Sequence, residues 1–392
     1  MTALRLDRGM IDEWLEFGFP DVAGLESFVS DQERIFDGAL RFREATWADG
    51  ELVVDLYDNA PEVVDDWEVT TQRSPFPYAQ LRLQEHASLQ ILEERRVGVG
   101  VKAGSTRNGL IDGVELPIGH MSGWRVRRSQ RGKGYARLLQ MIPGPGVSWF
   151  PLINYWYVRS GNFASSWIDR VVEEFDDRPD DLGRTTQGLT ATVTHVTPTR
   201  CETDPRIRLA TVDDLKRCVE LINHLTDGHD LVRPIDASHL RSHLDDPAWG
   251  MKPPFWAEVY SWGDFYVLED DGQIVACAGL WDRGRHMRDV WVHQTTEETF
   301  TVDNTAVIDA GFAPGHADAL GGLLCDFASR SVDVERTSML VSLEFHPEVM
   351  NCLAHLDSTE ESRALFSMPM MIPGLSFDPP TITKPFTDLA YW

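Results

Sequence analysis

The chain has 392 residues, 42% of them hydrophobic, enough for two or three domains with real cores. Its formal net charge of −26 argues against a surface built for nucleic acid or an anionic membrane, and tolerates a cationic or amine partner. The first eight residues lack the apolar core of a signal peptide, and no run reaches the length of a membrane span. The five cysteines are widely spaced with no Cys-x-x-Cys, so a cytoplasmic protein with reduced thiols is expected.

Residues 1–38 read as an acidic extension with helical patches, followed by a first unit over 39–197. Residues 41–57, RFREATWADGELVVDLY, start as an alternating strand (Phe42, Glu44). They pass a Thr and an Asp suited to cap a helix, then become apolar-periodic (Leu52, Val53, Leu56). Ser88–Glu94 and Val97–Ala103 form an expected hairpin, and Trp124–Arg128 is the next strand. Asn154–Arg159 follows, with a helix from Asn162 to about Glu174 and a late strand at Thr190–Val196.

Proline-bearing polar sequence at 198–205 is the expected linker to a second unit, 206–392. Residues 206–222, RIRLATVDDLKRCVELI, repeat the opening of the first unit at an offset of 165. The order then repeats. Phe265–Glu269 and Ile274–Leu280 make a hairpin around Asp270-Asp271-Gly272, and Thr305–Asp309 is a short strand. A turn from Gly311 leads to a helix over Asp318–Ser329, then a strand at Met339–Phe345, a helix start at His346–Ala354 and a closing strand at Leu365–Met370. Two such halves would pack as an internal pseudo-dimer in a monomer, or the chain would form a homodimer. His239 and His243 share a helix face at i, i+4. With no third ligand evident they read as a solvated face, and no metal is expected.

The most informative run is 124–140, WRVRRSQRGKGYARLLQ. An alternating stretch meets a basic, glycine-rich turn that opens an apolar helix. Helix-first amides lack intrahelical partners and favour an anion, and Gly132 and Gly134 allow a phosphate to approach the backbone. Gly-Lys is followed by Gly134, which rules out a Walker loop. Arg137 stands where the dinucleotide fingerprint needs its third glycine.

What remains is Arg-x-x-Gly-x-Ala, filled by Arg131, Gly134 and Ala136. It resembles the acyl-CoA signature of the GNAT superfamily of N-acetyltransferases, and the doubled layout is similar to tandem GNAT chains with one working and one degenerate half. The resemblance implies an α/β fold of two GNAT-like domains, each a curved mixed β-sheet flanked by helices. The fourth and fifth strands would splay apart around the pantetheine arm. In the second half Gly315 and Ala317 occupy the turn, but Phe312 replaces the Arg and Pro314 removes an amide, so that half is expected to have lost the cofactor.

The resemblance further implies acetyl-CoA as cosubstrate. Backbone groups of Arg125, Val126 and Arg127 would hold the pantetheine, and Arg131, Gly132, Lys133, Gly134, Tyr135 and Ala136 the pyrophosphate. Arg128 would meet the adenosine phosphate or stay solvated. Asn162 would bond the pantetheine or cap its helix. Asp169 stands where the family's usual tyrosine acid is expected, which leaves Tyr157, Tyr155 and Tyr135 as candidate acids. Glu115 and His120, just before the fourth strand, are candidate bases. The carboxylate of Trp392 is a third, since in one related group a terminal carboxylate reaches the active site. Trp149, Phe150, Tyr155, Trp156 and Tyr157 would wall an acceptor pocket or form core. The function implied is acetyl transfer to a primary amine of a small metabolite by direct attack. The alternatives are an enzyme using a longer acyl-CoA, and a non-catalytic CoA-sensing module.

Overall fold

The computed structural model describes residues 40–74, 77–141, 153–159, 186–245, 259–343, 346–369, 382–389 and Trp392. The N-terminal extension, the expected helix from Asn162 with Asp169, and Trp149, Phe150 and Tyr391 lie outside the described residues.

The first half opens with strand β1 (Leu40–Glu44) and helix α1 (Gly50–Asp58). The second opens with β9 (Ile207–Leu209) and α4 (Leu215–Thr226). One ion-pair device holds both openings. The Arg43 guanidinium grips the Asp49 carboxylate at 2.7 and 2.8 Å, and the Thr46 amide donates to the same carboxylate at 2.7 Å. At the offset of 165, Arg208 grips Asp214 at 2.7 and 3.1 Å, and the Thr211 amide donates to it at 2.7 Å. A carboxylate bonded to free amides at a helix entrance satisfies donors the helix leaves open.

The remaining elements of the first half are β2 (Glu62–Val64), β3 (Trp67–Gln72), α2 (Ala79–Arg82), β4 (Ser88–Glu94), β5 (Val97–Ile111), β6 (Val114–Val126), α3 (Tyr135–Met141), β7 (Ile153–Arg159) and β8 (Thr186–Val196). Those of the second are α5 (Ala237–Asp245), β10 (Phe265–Asp270), β11 (Gln273–Trp281), β12 (Arg288–His293), β13 (Thr299–Phe312), α6 (Ala317–Asp333), β14 (Ser338–Val341), α7 (Pro347–Cys352) and β15 (Ser358–Pro369). Strands β5, β6 and β13 run longer than their sequence patterns suggest, while Arg127 and Arg128 fall just beyond β6. β2, β3 and β12 have no clear alternation and were not expected from sequence.

Among the described residues, fifteen strands join in a mixed sheet whose main path runs β1-β4-β5-β6-β7-β15-β8-β14-β13-β11-β10-β9. β15, from the end of the second half, lies between β7 and β8 of the first, and β8 pairs in turn with β14 of the second. The two halves therefore exchange their last strands. Their second seam is the pairing of β3 with β12 over six residue pairs, Trp67–Gln72 against Arg288–His293.

Each half contains one parallel pair that parts early. β6 and β7 are in register only at Ile118/Ile153, Gly119/Asn154 and His120/Tyr155; β13 and β14 only at Asn304/Ser338, Thr305/Met339 and Ala306/Leu340. In the second half the resulting cleft is filled. Phe386, Thr387, Asp388 and Leu389 lie against Val307–Ala310, Ser342 and Leu343, leaving about 80 Å³, room for a few waters at most. Asp230 fastens that returning segment: its carboxylate accepts from the amides of Thr383 (2.6 Å) and Lys384 (2.9 Å), and its carbonyl from Phe386 (2.9 Å).

Other expectations are corrected here. His239 and His243 do not form a solvated face. Both are largely buried, with His243 Nδ1 3.6 Å from Asp309 and His239 Nε2 3.4 Å from Glu85, because α5 packs onto α4 and the filled cleft. The five cysteines are free thiols, and the ligand atoms of Cys201, Cys325 and His355 lie within 4.8 Å of one another.

Candidate functional site between the splayed strands

In the first half the gap between β6 and β7 is open. A cavity of about 720 Å³ occupies it. One end is the glycine loop, contributing Gln130, Arg131, Gly132, Gly134 and Ala136. The floor is Ser122–Val126 of β6, and the far wall is Trp156, Tyr157 and Trp392. The seam between halves closes the rest with Thr71, Arg73, Arg283 and Met287.

The loop has the conformation its glycines predict. Gly132 and Gly134 both sit at φ +81°, the left-handed region that costs a side chain strain. Residues 131–134 are exposed, so the cavity opens to solvent there, while Tyr135 and the helix beyond pack into a small core with Phe42, Leu92 and Leu138.

β6 carries a bulge where it begins to leave β7. Arg125 and Val126 pair with Val101 and Gly100, but the next pairing is Ser122 with Ala103, so Gly123 and Trp124 oppose Lys102 alone. Gly123 takes φ +61°, and its carbonyl accepts from the Tyr57 hydroxyl at 3.2 Å. A bulge breaks the ladder and re-aims local backbone groups, here along the cavity floor.

The structure sorts the expected residues. Arg125, Val126, Arg131, Gly132, Gly134, Tyr135 and Ala136 line the cavity, as do His120, Tyr157 and Trp392. Arg127 and Lys133 do not. The Arg127 amide is spent on the Val99 carbonyl at 2.9 Å and its guanidinium pairs with Asp55, while Lys133 is exposed beside Gln130 and Glu94. Arg128 pairs with Glu68 at 2.7 Å. Glu115 is also placed elsewhere: it lies next to the β5–β6 turn, exposed and bonded to Asn108 at 3.2 Å, eleven residues along a strand from Val126. Tyr155 shares the Tyr157 face of β7, with the rings 5.8 Å apart, but does not line the cavity, and its hydroxyl accepts from Arg107 at 3.2 Å. Asn162 lies outside the described residues.

Burial sets the protonation of the deep wall. It pushes the Tyr157 hydroxyl well above its ordinary 10, so the phenol stays neutral. Burial, helped by the Arg107 charge, pushes the His120 imidazole down to about 3, so it too is neutral at physiological pH. Tyr157 lies with its ring centroid 5.9 Å from His120 and 5.4 Å from Trp392. The backbone oxygen of Trp392 accepts from the Gln80 side chain at 2.9 Å.

Sequence reading missed a group of arginines. Arg73, Arg159, Arg283 and Arg363 come from the seam, from β7 and from β15, and meet Arg125 around the inner part of the cavity. Asp289, on β12, takes the Arg159 guanidinium and accepts from Thr71 at 2.7 Å; Glu361 accepts from Arg363 at 2.8 Å; Glu62 pairs with Arg125. Burial disfavours the charge on Arg159, but Asp289, Glu62 and Glu361 outweigh it and hold its pKa above the ordinary range. No local sequence signal marks these residues, since each is an isolated basic position in its own segment.

No protein-family model matches this sequence, and no curated protein matches it. Solved structures do match. Saccharomyces cerevisiae N-myristoyltransferase with bound myristoyl-CoA aligns at TM-score 0.55 and 10% identity over 84% of this chain and 82% of that one. A second structure of that enzyme with myristoyl-CoA gives TM-score 0.55 and 10% identity, covering 84% and 79%. A GCN5-related N-acetyltransferase from Anabaena variabilis gives TM-score 0.42 and 10% identity, covering 83% and 72%. No helix among the described residues is long and apolar enough to cross a membrane. The chain thus has a tandem GNAT-like fold, the architecture it shares with N-myristoyltransferase.

Proposed function

We propose that the protein is an acyl-CoA-dependent N-acyltransferase, with acetyl-CoA as donor and a primary amine of a small metabolite as acceptor. The observation that carries this reading is the single cavity that runs from an exposed double-glycine loop, along a bulged strand, to a buried tyrosine. In this reading the loop residues Arg131, Gly132, Gly134 and Ala136 hold the pyrophosphate, and the floor at Arg125 and Val126 takes the pantetheine. The amine nitrogen attacks the thioester carbonyl, the carbon–sulfur bond breaks, and the electron pair leaves on sulfur. The proton lost by the amine leaves to solvent through the open end of the cavity at residues 131–134, while Gln80 holds the Trp392 backbone oxygen beside Tyr157. Tyr157, kept neutral by burial, gives a proton to the thiolate. His120 then acts as a neutral hydrogen-bonding group, because an imidazole with a pKa near 3 is a weak base.

A second reading keeps this site and uses a longer acyl-CoA. It is favoured by the fold shared with an enzyme whose structure holds myristoyl-CoA and by a cavity of about 720 Å³ that extends past the strand gap. Thermal melts with acetyl-CoA and myristoyl-CoA separate the two, since a ligand that binds only the folded chain raises Tm. The preferred donor gives the larger shift, and Gly134→Trp abolishes it while the unliganded melt stays cooperative. The reading fails if neither donor shifts the melt, or if Gly134→Trp still binds.

A further inference from the structure

The inner cavity holds more positive charge than its own carboxylates neutralise. Arg125, Arg159 and Arg363 have Glu62, Asp289 and Glu361 as partners. Among the described residues, Arg73 and Arg283 have no carboxylate within ion-pair distance, although the Asp289 charge acts on both from further away. Each is only 5% exposed. Arg73 Nη2 donates to Gln80 Oε1 at 3.2 Å, and Arg283 Nη1 to Asn304 Oδ1 at 3.1 Å, both neutral acceptors. Among the described residues, Nε and Nη1 of Arg73 and Nε of Arg283 meet no hydrogen-bond acceptor.

Five guanidiniums thus face three carboxylates. A buried cation without a counter-ion is among the costliest arrangements a fold can carry, and it persists where something else requires it. Burial pushes Arg283 down to about 10 and also lowers Arg73, and a guanidinium keeps its charge inside proteins. Both line the same cavity as Tyr157 and Trp392, and Gln80, which accepts from Arg73 and donates to the Trp392 backbone oxygen, ties Arg73 to that wall.

We propose that the acceptor is an amine that also carries an acidic group, a carboxylate or a phosphate, held by Arg73 and Arg283. This rests on the acyltransferase reading above and specifies its acceptor class. A planar guanidinium fork suits either oxyanion, and forming charge-assisted bonds there removes the cost of the unpaired cations. The seam between the halves then has a function: β3 leads into Arg73 from one half, and the segment before β12 brings Arg283 from the other.

The test uses the full chain, saturated with CoA for thermal melts and with acetyl-CoA for turnover, and probes in matched pairs: glycine against glycinamide, glucosamine 6-phosphate against glucosamine, and inorganic phosphate alone. The acidic member of at least one pair is expected to raise Tm and to be acylated at least tenfold faster than its neutral counterpart; which pair responds distinguishes carboxylate from phosphate. Arg73→Met and Arg283→Met should each weaken that binding tenfold or more without lowering the unliganded Tm, while Arg73→Lys retains part of it. The proposal is overturned if neutral amines bind and react as well as acidic ones, or if no acidic probe shifts the melt while CoA does. If CoA itself gives no shift, the acyltransferase reading falls first and this one with it.

Discussion

The Arg363 guanidinium lies 3.9 Å from the centroid of the Trp392 indole ring, stacked over it. Arg363 belongs to the strand that the second half lends to the first, and Trp392 is reached through a segment that first fills the second half's own cleft. The contact therefore joins the strand exchange to the returning segment inside the first half's cavity. A cation over a buried indole contributes about 1 kcal/mol beyond packing.

Trp392→Ala should remove that stack, the packing against Tyr157 and about 3 kcal/mol of stability, as expected when a large buried aromatic is truncated. Turnover should fall at least tenfold with little change in donor affinity. Urea denaturation and steady-state kinetics check both; Trp392→Phe should restore most of the stability.

Gly123 is required by its backbone angle and by its neighbour. An added Cβ would lie 2.4 Å from the Tyr57 hydroxyl, at φ +61°. Gly123→Ala should cost about 2 kcal/mol from left-handed strain and the clash together. In a Tyr57→Phe background the same substitution should cost less, because the oxygen that meets the new methyl is gone. A double-mutant cycle by denaturant melts measures the difference.

His120 makes stability depend on mild acid. Its folded pKa of about 3 lies below the 6.5 of an exposed imidazole. As pH falls below 6.5 the unfolded chain takes up a proton that the folded chain refuses, so stability drops between those values, by at most about 1.4 kcal/mol per pH unit from this group. His120→Asn should flatten the fall in Tm between pH 7.5 and 5.5, where most carboxylates do not yet titrate.

Residues 40–205 and 206–392 should not fold when produced apart. β15 pairs with β7 over seven positions and with β8 along most of its length, so each half alone leaves a long unpaired edge. Separate fragments should lack cooperative melts, and co-expression should recover a 1:1 complex. A cooperative melt from either fragment would contradict the exchange as a folding requirement.

Much of the frame was legible in the chain itself. The repeat at offset 165 gave two strand–helix openings, and Arg43–Asp49 and Arg208–Asp214 show why those letters recur: the motif is local and closes within seven residues. Gly132 and Gly134 announced their loop because a positive φ leaves a mark in residue type. Pro314 and Phe312 mark the second turn as different in the sequence, whereas the filling of the second cleft by residues 386–389 is visible only in the structure. Only the tertiary structure decided the strand exchange, the β3–β12 seam and the meeting of Arg73, Arg159, Arg283 and Arg363. These depend on which segments pair across the whole length of the chain, and sequence periodicity records only which face a residue turns toward an interior, not which partner it finds there.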